Sequence, residues 1–316
     1  MTRCAIVHPT GLLGKELREA LAARPELTAA EVRLLSDDPE EVGALTEAAG
    51  EPALVQAWDP QALEGIDVVF FCGPAAATRR LLGDRSAGVT AIVLSLDATA
   101  EDGVPVVAGV NSAAAERGAV VLSPHPAVIL LAHLLWPLRA VGVEEAVATL
   151  VQPASMQGQP GLEEMFEQTR QIVTMTARRP SPIFGHQLAF NLLPHPGPLE
   201  PIAAELAAVL RGEPVVSLNV VQGGVFHSFS ASLYLRCAAD PGPKAIRRAL
   251  SEHPQIELAD DPKRLGPIEV PGSDKVVVGA VRKETGGAGG YWLWAVMDNL
   301  TRGGAVNAVE IAAALS

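Results

Sequence analysis

Two closely spaced glycines, a pair of acids and a histidine set between prolines are the residues of this chain whose types and spacing could do chemistry. Thr10-Gly11-Leu12-Leu13-Gly14 follows a short apolar run and opens a segment with helical periodicity. Glycines there let a backbone approach a ligand closely, and a helix N-terminus gathers unpaired amides. Thr10, Gly11, Leu12 and Gly14 are therefore candidates for holding an anion such as a phosphate. Leu35-Ser36-Asp37-Asp38 ends the second strand-like run at about the interval where an acid meets a ribose hydroxyl in a dinucleotide site. Asp37 or Asp38 would repel a 2′-phosphate, and no arginine follows them in that loop, so if a cofactor binds, NAD is favoured over NADP. The same acids also read as a solvated turn before Pro39.

In Val120-Val121-Leu122-Ser123-Pro124-His125-Pro126-Ala127, an apolar run breaks into a stiff loop and resumes as a helix. Two prolines fix φ near about −65° and remove two amide donors, and Pro126 suits a first helical turn. Ligands and nucleophiles are held in such strand-to-helix loops, but this one carries no nucleophile. His125 could act as a base without one, or serve as an ordinary loop residue. The three cysteines, Cys4, Cys72 and Cys237, are far apart and form no metal or disulfide pattern, and no pair of histidines or cysteines has ligand spacing.

These groups must be positioned by a chain of 316 residues with a net charge of −12, 48% hydrophobic and 19% charged. That composition describes a globular protein long enough for two cores, and the acidity argues against a nucleic-acid surface. The longest apolar run, Ala127 to Trp136, includes His133 and falls short of the roughly 20 residues that cross a bilayer. No secretion signal opens the sequence, so a cytoplasmic location is expected. Through residue 125, short apolar strands such as Val68-Val69-Phe70-Phe71 alternate with helical segments at Leu12 to Ala22 and Ala75 to Leu82. Strands buried on both faces and joined by crossovers predict a doubly wound parallel sheet, a Rossmann-like α/β domain. After a helix from Ala127 to Val141 the strands lengthen and alternate: Glu144 to Val151, Val215 to Phe226, Phe229 to Cys237, Lys275 to Val281 and Tyr291 to Val296. Helices at Leu162 to Thr174, Leu199 to Leu210 and Pro243 to Ser251 intervene, which predicts an α+β domain over 126–302 with a mainly antiparallel sheet. Leu233, Leu235, Trp292 and Trp294 are candidates for a second apolar sheet face, which would need a homodimer partner as cover.

Five stretches give the chain a resemblance, over nearly its whole length, to the aspartate-semialdehyde dehydrogenase family and especially to its Usg-type paralogues. They are Thr10-Gly11-Leu12-Leu13-Gly14, Ser123-Pro124-His125-Pro126, the segment from Pro153 to Glu164 with Ser155-Met156-Gln157-Gly158, Phe184-Gly185-His186-Gln187 through Pro194, and Asp298-Asn299-Leu300 with Gly303-Gly304-Ala305-Val306-Asn307. The resemblance implies a nicotinamide-cofactor domain over 1–125, a substrate and dimerisation domain over 126–302, and a C-terminal helix, 303–316, returning to the first domain.

The family's chemistry needs a cysteine thiolate in a motif reading Asn-Pro-Asn-Cys, and here that motif reads Ser123-Pro124-His125-Pro126. Pro126 stands at the nucleophile's place and can form no thiohemiacetal. By the same resemblance the base histidine falls at Phe229, or at His227 if two residues are deleted, and the arginine that grips the substrate carboxylate falls at Gln222. A phosphate-binding arginine is missing between Asp97 and Val110. Gln152 and Glu205 match pocket residues, Ala208 replaces a lysine, and Cys72 lies where cofactor contacts are expected. In the family's Gly-x-Thr-Gly-x-x-Gly the first glycine is His8, which weakens the tight turn under a pyrophosphate without excluding one. The expectation is a non-catalytic, dimeric member with a residual cleft for NAD or a small acid. The alternative is an oxidoreductase acting on an aldehyde-type substrate, with His125 or His227 as base.

Overall fold

The computed structural model describes residues 2–28, 32–86, 88–176, 180–286 and 289–315; Met1 and Ser316, at the ends of the expected domains, lie outside the described residues. The chain divides into two compact units, Met1–Ile129 with Gly303–Ser316, and Leu130–Arg302. The division falls a few residues beyond the expected 125/126, inside a helix.

In chain order the first unit holds β1 (Cys4–Val7), α1 (Leu12–Ala22), the single turn α2 (Pro25–Thr28), β2 (Val32–Ser36), a hairpin of β3 (Leu45–Ala48) and β4 (Glu51–Leu54), β5 (Gln56–Ala57), β6 (Val68–Phe71), α3 (Ala75–Leu82), β7 (Thr90–Val93), β8 (Val104–Pro105) and β9 (Val120–Leu122). Seven of these strands form one parallel sheet in the order β5-β2-β1-β6-β7-β9-β8. Every residue of β1, β6 and β7 is buried, as unbroken apolar strands covered on both faces must be. The strand order reverses between β1 and β6, and ligands of open α/β sheets bind outside the carboxyl ends at that switch. The hairpin is not visible in the sequence. Its turn is Ala49-Gly50, both at positive φ (52° and 84°), and alanine in a left-handed position gives no turn signal of the Asn-Gly kind. The C-terminal helix Asn307–Leu315 belongs to this unit, where Asn307 accepts from the Ala108 amide (2.9 Å) and donates to Val106 O (3.0 Å) and Ser123 Oγ (2.9 Å).

Helix α4 (Pro126–Leu138) carries the chain into the second unit, which holds β10 (Val143–Gln152), α5 (Gly158–Val173), β11 (Leu192–Pro194), α6 (Glu200–Leu210), β12 (Val215–Gly223), β13 (Phe229–Cys237), α7 (Gly242–Ser251), β14 (Ile256–Leu258), β15 (Val276–Lys283) and β16 (Tyr291–Met297). Its sheet has the order β11-β12-β10-β13-β16-β15-β14. Four of the six pairings are antiparallel, and β10–β12 and β14–β15 are parallel. The strand expected to reach Phe226 stops at Gly223: a Cβ on Gly224 would lie 2.6 Å from Leu188 O, so the backbone turns aside there.

The expected second apolar face needs correction. Leu233 and Leu235 are fully buried and pair in register with Leu293 and Tyr291 on the covered face. Trp294 is on the other face but is roofed within the chain, donating to Leu265 O (3.0 Å) and packing on Val270 and Val277. What stays open is a strip of β12, β10 and β13. Val215 and Val147 are 64% and 49% exposed, Ser217, Asn219 and Thr149 lie around them, and Tyr234 tilts against Trp292 at 5.3 Å.

Candidate functional site

The carboxyl ends of β1, β2 and β6 bring together residues that the sequence shows only singly. His8 follows β1 at φ 57°, the left-handed region that glycine takes without strain and a histidine rarely does. Its ring is buried, and its Nε2 lies 2.7 Å from Oδ1 of Asp37, which follows β2. The ring's other edge faces Gly73, which follows β6: a Cβ there would stand 2.2 Å from His8 Nδ1. The second oxygen of Asp37 is paired with Arg80 from α3. Burial holds the His8 pKa below its ordinary value, Glu41 and Asp38 pull it up, and Arg80 pushes it down. A neutral ring donating from Nε2 to Asp37 fits these surroundings, because the lone pair on Nδ1 has no partner among the described residues.

Gly11 and Gly14 open α1 as expected, with unequal roles. Gly11 caps the helix and has open space where a Cβ would be, whereas a Cβ on Gly14 would stand 2.6 Å from His8 O, so Gly14 serves the packing of helix on turn. Leu12 is the first residue of the helix and is half-buried. Thr10 does not present its hydroxyl to a ligand, since Oγ1 hydrogen-bonds to the Glu41 carboxylate. The N-terminus of α3 is likewise met by a carboxylate of this chain, Asp97 Oδ1 accepting from the Ala75 amide at 2.9 Å. Asp38 turns to its own loop, accepting from the Glu40 amide at 2.9 Å. No arginine follows these acids in their loop, but Arg80, remote in sequence, reaches Asp37 from α3. An imidazole at the switch point, with Asp37, Glu41 and Asp97 around the helix ends, does not fit a bound dinucleotide pyrophosphate.

The loop Ser123-Pro124-His125-Pro126 leads into α4. Pro126 is the first residue of α4. His125 Nδ1 accepts from the Ala127 amide (3.2 Å), and its carbonyl accepts from Val128 (2.7 Å) and Ile129 (3.3 Å), so the imidazole is drawn into capping α4. Burial, with a smaller push from Glu41, raises the Cys72 thiol far above its ordinary value. Burial with Asp67 raises Cys4 to about 12, and burial with Asp240 and Glu144 raises Cys237.

In the second unit, Gln152 and Gln222 stand in register on β10 and β12. Gln152 Nε2 donates to Gln222 Oε1 (3.0 Å), and Gln222 Nε2 donates to Gln152 O (3.0 Å). The two glutamines thus hold each other at the position that the resemblance assigns to a carboxylate-gripping guanidinium. Glu205 on α6 is buried and Ala208 exposed. Phe229 is fully buried at the start of β13, whereas His227 lies partly exposed in the preceding turn. There it lines a groove of about 350 Å³ with Glu163, Phe166 and Phe226. Asn299 supports this turn, accepting from the Ser228 amide (2.9 Å) and donating to Ser155 Oγ (3.0 Å). Pro126 and His125 lie in the first unit and Gln152, Glu205, Gln222 and His227 in the second.

Gly73, Arg80 and Glu41 went unnoticed in the sequence because their types are unremarkable and only the fold brings them to His8. Among the described residues no group of three or more potential metal ligands gathers, and no helix is long and apolar enough to cross a membrane.

Residues 135–302 match the family described as semialdehyde dehydrogenase, dimerisation domain. The chain is 31% identical to a USG-1 protein homolog of Azotobacter vinelandii, and 28% identical to an aspartate-semialdehyde dehydrogenase of Synechocystis, each over 98% of this chain and 96% of the relative. A solved structure of a probable aspartate-semialdehyde dehydrogenase from Pseudomonas aeruginosa superposes with a TM-score of 0.89 at 28% identity, covering 99% of this chain and 97% of that one.

Proposed function

Since the chain belongs to the semialdehyde dehydrogenase family, we propose that it is a non-catalytic member of it, a dimeric binding protein on a dehydrogenase fold. One observation supports this reading: Pro126, which the motif resemblance puts at the place of the family's nucleophilic cysteine, is the first residue of α4. A covalent thiohemiacetal needs a thiolate, and a proline ring cannot supply one. The chain's own cysteines do not substitute, because burial and nearby acids hold all three thiols protonated. The alternative is an oxidoreductase with His125 or His227 as base; the hydrogen bond from the Ala127 amide to Nδ1 engages one side of the His125 ring, and His227 lies in an open groove beside Glu163.

The paired Gln152 and Gln222 side chains support recognition of a neutral hydrogen-bonding group ahead of the small acid expected from the family, because an amide stands where the resemblance places the guanidinium that grips a carboxylate. Asp37 still favours NAD over NADP should the first unit be opened, with Arg80 offsetting part of the repulsion. Three free cysteines suit a reducing cytoplasm. Purified protein with aspartate semialdehyde, phosphate and either NAD or NADP is expected to give no turnover above the uncatalysed rate. Loss of a nucleophile costs on the order of 10⁶ in a serine protease. A kcat of about 1 s⁻¹, within the ordinary enzyme range, would overturn the reading.

A further inference from the structure

We infer that His8 is a built-in plug: its imidazole fills the dinucleotide crevice of the first unit, and the chain's own carboxylates take the places that cofactor groups would need. The inference concerns binding and does not depend on the missing nucleophile. The ring lies at the switch point itself, because His8 leaves β1 and Gly73 leaves β6, the two strands between which the order reverses. The absent side chain at Gly73 makes room for the ring, since any Cβ would enter it at 2.2 Å from Nδ1. The histidine is held there against its backbone preference, at φ 57°, by the 2.7 Å contact with Asp37. That contact removes the acid that would take a ribose hydroxyl, and Arg80 holds its other oxygen.

Glu41 closes the second half of the crevice. Its carboxylate hydrogen-bonds to Thr10 at the entry to α1, where unpaired amides would otherwise receive a pyrophosphate. A dinucleotide would have to displace a buried ring and place its charge beside Glu41 and Asp97, while the guanidinium of Arg80 is already engaged by Asp37. Glycine at position 8 would take the same backbone conformation without strain, keep the turn and leave the crevice empty.

Titration calorimetry with NAD and with NADP tests this on the full chain, using wild type, His8→Gly, His8→Ala and His8→Gly/Glu41→Gln. Wild type is expected to show no binding at millimolar nucleotide. His8→Gly should bind NAD at least tenfold more tightly than wild type, and the added Glu41→Gln should tighten it further. His8→Ala removes the ring while keeping a side chain at positive φ, so gain of binding there shows that the ring is the obstacle. A stability cycle provides a second readout: Gly73→Ala should lower the melting temperature by several degrees in wild type and by little in His8→Gly. Micromolar binding of either nucleotide by wild type overturns the inference. So does a His8→Gly protein, folded by circular dichroism, that binds no better than wild type.

Discussion

At the scale of single residues, substitution and burial are different kinds of evidence, and His133 shows the second kind. It lies on α4, fully buried, with neither ring nitrogen partnered among the described residues, and its ring meets that of His253 edge-on at 5.1 Å. Burial holds its pKa well below the usual 6.5, and the positive Arg302 and neighbouring His253 lower it further. In the unfolded chain the same histidine titrates near 6.5. Above that pH both states are neutral and stability is independent of this group. Below it the unfolded chain takes up a proton that the folded one refuses, so stability falls by about 1.4 kcal/mol per pH unit. Urea unfolding at pH 7.5, 6.5 and 5.5 should show that slope, reduced in His133→Leu, whose isosteric apolar side chain does not titrate; equal slopes would refute the assignment. Pro126 and Gln222 stand out in the sequence because each is a plain change of residue type at a motif position that the resemblance assigns. His133, and the plug at His8, were not, because their meaning lies in neighbours such as Arg302 and Gly73 that only folding supplies.

At the scale of elements, the most family-like residues prove to be ties. Asn307 opens the C-terminal helix fully buried and joins it to the first sheet through three hydrogen bonds, to Ala108, Val106 and Ser123. Removing the amide strands an N–H and a carbonyl in the interior, at about 1–3 kcal/mol for each group left unsatisfied. Asn307→Ala should therefore cost about 3 kcal/mol in urea unfolding. A loss below about 0.5 kcal/mol, the range of an inert surface substitution, would deny the tie its role. The elements themselves were readable where pattern and burial coincide: β6 is apolar at every position and buried at every position. They were unreadable where geometry was held by context, as in the β3–β4 hairpin with alanine at positive φ and in β12, cut short where Gly224 passes against Leu188.

At the scale of the whole molecule, the second unit leaves unfinished a sheet face that the first does not have. Among the described residues the first sheet's central strands are buried throughout, while β10 and β12 expose Val147 and Val215 among serine, asparagine and threonine. Such a face, mildly apolar with the Glu145–Arg236 ion pair beside Val215, is suited to a copy of itself, since a twofold axis presents the same strip from both sides. A stable pair would need roughly 1,200–2,000 Å² of buried surface. The tryptophans expected to form this face contribute little, Trp294 being covered by the segment around Leu265 and Trp292 only partly exposed. The matched family's own description as a dimerisation domain supports the same unit. Size exclusion with light scattering at micromolar concentration should return twice the 33.0 kDa chain mass. Val147 is 49% exposed and sits between Ser217 and Tyr234, so Val147→Glu can be accommodated in a folded monomer yet brings a charge into a paired face. It should weaken the dimer at least a hundredfold, about 2.7 kcal/mol, with the melting profile of each chain otherwise retained. Phe166→Glu tests another exposed apolar position, on α5, where Phe166 is 62% exposed, and should leave the mass unchanged. A single-chain mass for the wild type would refute the pairing, and a dimer lost in Phe166→Glu but kept in Val147→Glu would move it from the sheet to the helix.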